Sequence, residues 1–342
     1  MFSKPEKDGL IQTDWHHFIK DGGLRSEHLR KMIIESWLRS QLAGVSVNRT
    51  NAPILIDANN LDNYLFNNTL LLQSSLPILK QYLSLLDHHN LLLIISDATG
   101  VILHTIGDRQ IHHRAEALHL IQGASWSEQH CGTNAIGTAI ETGSAVQIYA
   151  NEHYCSNIKH WTCTANVIRD PRSKNILGVL DISGLKETYN QQTLALVSSL
   201  TSQIEYQLYS QEIESQKILF EMFLSLKHFN SHALILFNRH GQAIFANTVI
   251  KASLLRYSTL NQNQINDLFN QLHIDHIEQF FLHNNLHVEV TTEVLLHDHI
   301  KLGQVCYCNF KSNPSLATQH IDFNSDPNII GQRWPRKFEQ HL

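Results

Sequence analysis

Long apolar runs are absent from this sequence. No stretch reaches the roughly 18 consecutive apolar residues that a membrane-spanning helix requires, and residues 1–22 are polar where a signal peptide would be apolar. We therefore expect a cytoplasmic protein that makes no contact with a membrane.

Charged residues and cysteines are also scarce. Only 17% of the residues are charged and the formal net charge is -5, so the chain lacks the basic excess of proteins that coat nucleic acids. Its five cysteines, an odd number without a repeated CxxC pair, argue against a disulfide framework and for reduced thiols. The length of 342 residues suits about two domains.

A phosphate-binding loop of the form G-x-x-x-x-G-K-[ST] is missing as well. The segment GTNAIG at residues 132–137 has two glycines but neither the lysine nor the spacing of such a loop. Nucleotide hydrolysis is therefore not expected. We assign no catalytic residue, no metal and no cofactor to the chain.

Hydrophobic periodicity predicts helices in the first 90 residues. Residues 26–39 place apolar side chains at helical spacing and are followed by Gly44 as a stop, and a second helical region covers residues 61–75. Pro77 occupies a position that the first turn of a further helix tolerates.

Strand patterns follow these helices and recur later in the chain. Residues 91–107 form two apolar runs around the turn 97–100, residues 233–246 repeat that design, and residues 161–168 and 176–182 predict another hairpin. The recurrence indicates two α+β modules, the second of which starts near residue 225.

The segment between the modules contains no proline or glycine over residues 190–229. It predicts a long connecting helix that forms a dimer, with an alternative of two shorter helices, each packed on its own domain. The apolar stripe consists of Val197, Leu200, Ile204, Leu208, Leu219, Met222 and Leu226.

Three hypotheses compete for the segment 126–184. A metal or redox sensor would use the nitrogen and sulfur ligands of His153, Cys155, His160 and Cys163, although their spacing differs from paired zinc motifs. A thiol enzyme would need a Cys131 or Cys163 thiolate of lowered pKa.

A small-molecule pocket is the third hypothesis. Aromatic side chains supply apolar walls in such pockets and a few polar groups orient the ligand. The walls would be Trp126, Tyr154 and Trp161, and the polar groups Thr133, Asn134, His153 and Thr164.

Three segments of this region resemble a known family. WSEQHCGTNAIGTAIETGSAVQIYANEHY, HWTCTANVIRDP and LGVLDISG are similar to the GAF sensory domain of sigma-54-dependent regulators of acetoin and glycerol catabolism, of the AcoR and DhaR type. The region before these segments resembles the same family, and the second module resembles the PAS domain that follows GAF. The resemblance covers about residues 26–310.

The resemblance implies the fold class and the domain order. We expect an α+β protein in which a GAF domain, an antiparallel sheet with flanking helices, is joined by a long helix to a PAS-like α+β domain. The predicted boundaries are an N-terminal helical segment at 1–60, GAF at 61–190, a linker helix at 191–226, the PAS-like domain at 227–310 and a flexible tail at 311–342.

The resemblance also implies a sensory function. The effector would be a small metabolite such as acetoin or glycerol, or a regulatory protein, and the chain would form a homodimer through the linker helix. The AAA+ ATPase and helix-turn-helix motifs of the family do not occur in these 342 residues, so we expect no direct DNA binding from this chain alone. The residues predicted to bind the effector are Trp126, Thr133, Asn134, His153, Trp161 and Cys163.

Overall fold

The computed structural model describes residues 2–22, 26–86, 90–269, 271–297 and 300–311. Helices and antiparallel strands form two compact units, Met1–Glu212 (unit 1) and Ile213–Leu342 (unit 2). The α+β class is thereby confirmed. Residues 312–342 lie outside the described residues, as does almost all of the predicted flexible tail.

Unit 1 consists of a helical N-terminal half and a sheet of five strands. Its elements are α1 (Asp8–Asp21), α2 (Lys31–Leu42), α3 (Ala58–Asn67), α4 (Thr69–Leu86), β1 (Leu91–Asp97), β2 (Ile102–Gly107), α5 (Arg109–Glu116), α6 (Glu128–Cys131), α7 (Ala135–Thr142), β3 (Val146–Tyr149), β4 (Trp161–Arg169), β5 (Ile176–Leu185) and the first part of α8 (Thr193–Leu224), a helix that continues into unit 2 from Ile213. The strand order is β2-β1-β5-β4-β3, and every pair is antiparallel.

The two faces of this sheet pack against different helices. On one face, Ile95, Leu180 and Ile182 join the apolar residues of α4 and of the first half of α8. The other face, which includes Ala165 and Val179, packs against α1, α2, α5 and α7 in one continuous core. Because side chains alternate along a strand, Asp181 and Ser183 of β5 lie on this second face too.

The described part of unit 2 contains a four-stranded antiparallel sheet and three short helices after α8. Its elements are β6 (Ala233–Asn238), β7 (Ala243–Ala246), α9 (Thr248–Tyr257), α10 (Gln262–Phe269), α11 (Ile277–His283), β8 (Val288–His297) and β9 (Ile300–Phe310). The order is β7-β6-β9-β8, and one face packs against α9, α10 and α11. Leu219 and Phe223 of α8 pack on the other face.

The predicted hairpins and the long helix are confirmed. β1 pairs with β2, β4 with β5, and β6 with β7, each in antiparallel register. Helix α8 is continuous over 32 residues, so the alternative of two separate helices is wrong. Its two ends nevertheless belong to the cores of different units.

Two predicted helix starts are wrong. The helix expected from residue 26 begins at Lys31, because the Ser26 hydroxyl accepts hydrogen bonds from the backbone N–H groups of His28 and Leu29 and holds a turn there. Pro77 lies inside α4, not in a first turn. Proline has no backbone N–H, so the carbonyl of Gln73, four positions earlier, lacks its helical hydrogen bond. Pro77 and Gln73 are both exposed, so water can bond that carbonyl instead.

No helix among the described residues has both the length and the apolar character to cross a bilayer. The helices of unit 1 instead bury one face against the sheet. Helices α1 and α2, which belong to the predicted N-terminal segment, contribute Phe18, Ile33 and Trp37 to the same core as β5.

Alanine substitutions at two helical glycines of unit 1 test this packing, because they should change the free energy of unfolding in opposite directions. A Cβ at Gly137 would lie 2.5 Å from the Glu128 nitrogen, whereas nothing lies within 4 Å of a Cβ at Gly9. We predict that Gly137→Ala lowers the free energy of unfolding by about 1–3 kcal/mol. Gly9→Ala, the matched control, should raise it by up to about 1 kcal/mol.

Denaturant unfolding followed by tryptophan fluorescence measures both effects, since four of the five tryptophans belong to unit 1. Equal effects of the two substitutions would contradict the close packing of α7 on residues 126–128.

Candidate functional site

A small cavity lies between β4 and β5 and the segments around α6, α7 and residue 158. Its volume is about 20 Å³, which is room for about one water molecule. The cavity brings together five of the six predicted residues, all except Thr133. Its full lining is Leu118, Leu120, Trp126, Asn134, Ala135, Ile136, His153, Ile158, Trp161, Cys163, Asp181 and Ser183.

His153 presents a bare ring nitrogen. Its Nδ1 lies 3.0 Å from the Ala150 carbonyl oxygen, and a carbonyl only accepts, so Nδ1 carries the proton. Burial lowers the pKa of His153 to about 4, which keeps the ring neutral. Nε2 is therefore an acceptor, and it has no hydrogen-bond partner among the described residues.

Asp181 is a buried carboxyl group, and no lysine or arginine among the described residues lines the cavity with it. Its Oδ2 accepts a hydrogen bond from the Ser183 hydroxyl at 2.5 Å, and burial raises the pKa of Asp181 to about 7. Its Oδ1 has no partner within the described part of the chain. The strand register explains why Oδ1 lacks a partner, because Ala165 of β4 lies opposite Asp181 and its side chain has no polar group.

The remaining polar groups of the lining are already used or neutral. Asn134 caps α7, accepting from the Gly137 N–H at 3.0 Å and donating to the carbonyls of Trp126 and Gly132. Burial raises the pKa of the Cys163 thiol, so it stays protonated. Free hydrogen-bonding capacity therefore centres on His153 and Asp181.

Thr133 belongs to a separate buried network. Its hydroxyl lies 2.7 Å from the Ser36 hydroxyl, which donates to the carboxylate of Glu128. The same carboxylate accepts hydrogen bonds from Arg39 and from Thr138. This network ties α2 to α6 and α7, and the role of Thr133 in it is structural.

The wall of the cavity that carries His153 is held by the N-terminal helices. Trp37 of α2 donates its indole N–H to the Glu152 carbonyl at 2.8 Å, and Trp15 of α1 donates to the Tyr154 carbonyl at 3.0 Å. The Glu152 carboxylate pairs with Arg30 at 2.8 Å. Residues on both sides of His153 are thus fixed by a part of the chain far away in sequence.

The two alternative chemistries find no support in this geometry. Among the described residues no three His, Cys, Asp or Glu side chains are grouped to hold a metal ion, although His153, Cys155, His160 and Cys163 are all described. Burial raises the pKa of the thiols of Cys131, Cys155 and Cys163. The pKa of Cys155 rises to about 11, and that of Cys163 lies well above its ordinary value. A nucleophilic thiol needs the opposite shift.

Asp181 and Ser183 were missed as candidate site residues. The available signal was a carboxylate in the otherwise apolar strand sequence LGVLDISG, because an acidic side chain there must face either solvent or an unusual interior site.

The family comparison gives the class of this chain. Residues 9–206 match the family described as MimR, N-terminal domain, which spans more than half of the sequence. The chain belongs to the MimR N-terminal domain family.

Relatives of the chain are transcriptional activators of catabolic operons. It is 29% identical over 244 residues to the acetoin dehydrogenase operon transcriptional activator AcoR of Bacillus subtilis, covering 71% of this chain and 40% of that protein. It is 27% identical over 208 residues to the propane 2-monooxygenase operon transcriptional activator MimR of Mycolicibacterium smegmatis, covering 60% and 34%. The chain thus spans less than half the length of these relatives, both of which are named as transcriptional activators.

Among solved structures, the complex of the N-terminal part of DhaR with DhaL from E. coli has a similar fold. The TM-score is 0.55 at 16% sequence identity, with 82% of this chain and 99% of that chain covered. The predicted resemblance to the sensory region of AcoR and DhaR type regulators is confirmed.

The raised pKa of Asp181 makes the stability of the folded chain depend on pH. Because its pKa is raised in the folded state, its contribution to stability is full below the unfolded pKa and falls as the pH rises toward about 7. We expect Asp181→Asn, which cannot ionise, to gain about 2–3 kcal/mol relative to the natural chain between pH 5 and pH 8.

Unfolding by urea at several pH values measures this difference, with Asp62→Asn at the exposed surface as the control. A difference between Asp181→Asn and the natural chain that stays constant across this range would show that Asp181 is not buried as a carboxyl group.

Proposed function

We propose that this chain is the sensory region of a transcriptional regulator of a catabolic operon. Unit 1 would bind a small polar metabolite, such as acetoin, glycerol or a related compound, in the cavity between β4, β5 and α7. The observation that supports this best is the pair of unpartnered acceptors, His153 Nε2 and Asp181 Oδ1, on residues that line a cavity with Trp126 and Trp161.

The proposed domain assignment follows the resemblance. Residues 61–190 would be a GAF domain, residues 227–310 a PAS-like domain, and residues 191–226 the linker helix. The chain would act as a homodimer through that helix. In favour of this, α8 exposes the apolar side chains Tyr206, Tyr209 and Ile213 at helical spacing.

A protein effector is the second candidate. Two observations favour it: the fold resembles that of a DhaR N-terminal part crystallised with DhaL, and the cavity of about 20 Å³ is small for a metabolite. In this form of the proposal the surface of unit 1 is the receptor. The effects of substitutions in the cavity separate the two candidates.

A thermal-shift titration with three- and four-carbon alcohols and ketols tests the proposal. A ligand at about 100 times its Kd adds roughly 2.7 kcal/mol to the stability of the state that it binds. We predict that at least one compound raises the melting temperature of the natural chain in a saturable manner. Ala135→Val, which places two methyl groups into the cavity, should abolish the rise.

Ala139→Val is the matched control. Ala139 lies on the same helix and is equally buried, but it does not line the cavity, so this variant should keep the thermal shift. A shift that survives Ala135→Val would place the binding site elsewhere. If no compound shifts the natural chain, the metabolite form fails and the protein effector is favoured.

A further inference from the structure

The cavity offers acceptors at the two places where a ligand could bond. The His153 ring is neutral with its proton on Nδ1, so Nε2 can only accept. Asp181 Oδ1 belongs to a carboxyl group whose other oxygen accepts a hydrogen bond from Ser183, so the ionised carboxylate leaves Oδ1 as a free acceptor. A molecule that satisfies both atoms while Asp181 is ionised has to donate two hydrogen bonds.

The described lining of the cavity also carries no positively charged side chain. None of the described residues that line it is lysine or arginine. The titratable groups that line the cavity together with Asp181 are His153, on the segment after β3, and Cys163, on β4, and both are neutral near pH 7. Lys159, which does not line the cavity, acts on the His153 ring and helps to keep it neutral. A carboxylate or phosphate placed here would be desolvated without a counter-charge, which costs several kcal/mol.

We infer that the cavity selects an uncharged small molecule with two neighbouring hydroxyl groups, which donate to His153 Nε2 and to Asp181 Oδ1, and that it rejects carboxylates. This inference rests on the proposed function and names the ligand class of that site: small diols and polyols, with ketols as weaker ligands because they have one hydroxyl donor less.

Binding of such a ligand requires the cavity to widen. A three-carbon diol does not fit in about 20 Å³, and His153 and Ile158 of the lining belong to the wall at residues 150–158. That wall is bonded to Trp15, Arg30 and Trp37 of the N-terminal region. A movement of that wall on ligand entry would therefore pass to α1 and α2, and these contacts would give the signal a route out of the cavity.

Three compounds with the same carbon skeleton test the inference. Propane-1,2-diol has both hydroxyls, 1-methoxypropan-2-ol has one of them methylated, and lactate carries a carboxylate in place of the terminal CH₂OH. We predict a saturable thermal shift of the full chain with the diol. Losing one donated hydrogen bond should weaken the ether at least about tenfold, and lactate should give no shift.

The pH dependence of diol binding identifies Asp181 as the partner. An ionised carboxylate accepts a stronger hydrogen bond than a neutral acid, so diol affinity should rise about five- to tenfold from pH 6 to pH 8. In Asp181→Asn this rise should vanish while the variant stays folded. If Asp181 had only a structural role, diol binding by Asp181→Asn would show the same pH dependence as diol binding by the natural chain.

The outcomes separate this inference from the proposed function. If lactate or the ether binds as well as the diol and Ala135→Val blocks that binding, the site is real but its selectivity is not as inferred. A diol affinity that is flat with pH in the natural chain also overturns the inference. If no compound binds, the metabolite form of the proposed function falls with it, and the cavity holds a structural water.

Discussion

A buried ion pair between Arg30 and Glu152 holds the N-terminal helices of unit 1 against the sheet. Two guanidinium nitrogens of Arg30 contact the two carboxylate oxygens at 3.0 and 2.8 Å, and the Ser3 hydroxyl and the Tyr149 N–H donate to the same carboxylate. Only 2% of the Glu152 side chain is exposed, so removing one partner would leave a charge uncompensated in the interior, which costs about 3–5 kcal/mol. The position of the neighbouring His153 depends on this pair.

The same unit tolerates polar groups that its core does not need. The unpartnered acceptors of His153 and Asp181 are both buried, and a buried polar group without a hydrogen bond typically costs about 1–3 kcal/mol. An apolar pair at these positions would pack without that cost. Unpartnered buried polar groups are typical of a binding site. A ligand that donates the missing hydrogen bonds stabilises the state that it binds, which is what a sensory unit requires.

Much of this fold could be predicted because its signals are local. The turn residues 97–100 and the alternating pattern of β4 and β5 predict hairpins by themselves, and the aromatic and polar residues at 126–163 predict a pocket. Thr133 was assigned to that pocket, but its partner Ser36 lies 97 positions away in sequence, and no local pattern reveals such a contact. The importance of Asp181 could not be judged either, because it follows from the register that places Ala165 opposite it and from the distant wall that carries His153.

The central claim is that the cavity presents a neutral His153 ring whose Nε2 accepts hydrogen bonds. Long-range nitrogen–proton NMR on the histidine-labelled chain, with His153→Gln to assign the signals, observes this tautomer directly. The account predicts that His153 keeps its proton on Nδ1 from pH 8 down to about pH 4, and that the Nε2 signal shifts when a diol is added. A ring that is protonated on Nε2, or that gains its second proton near pH 6.5, would contradict it.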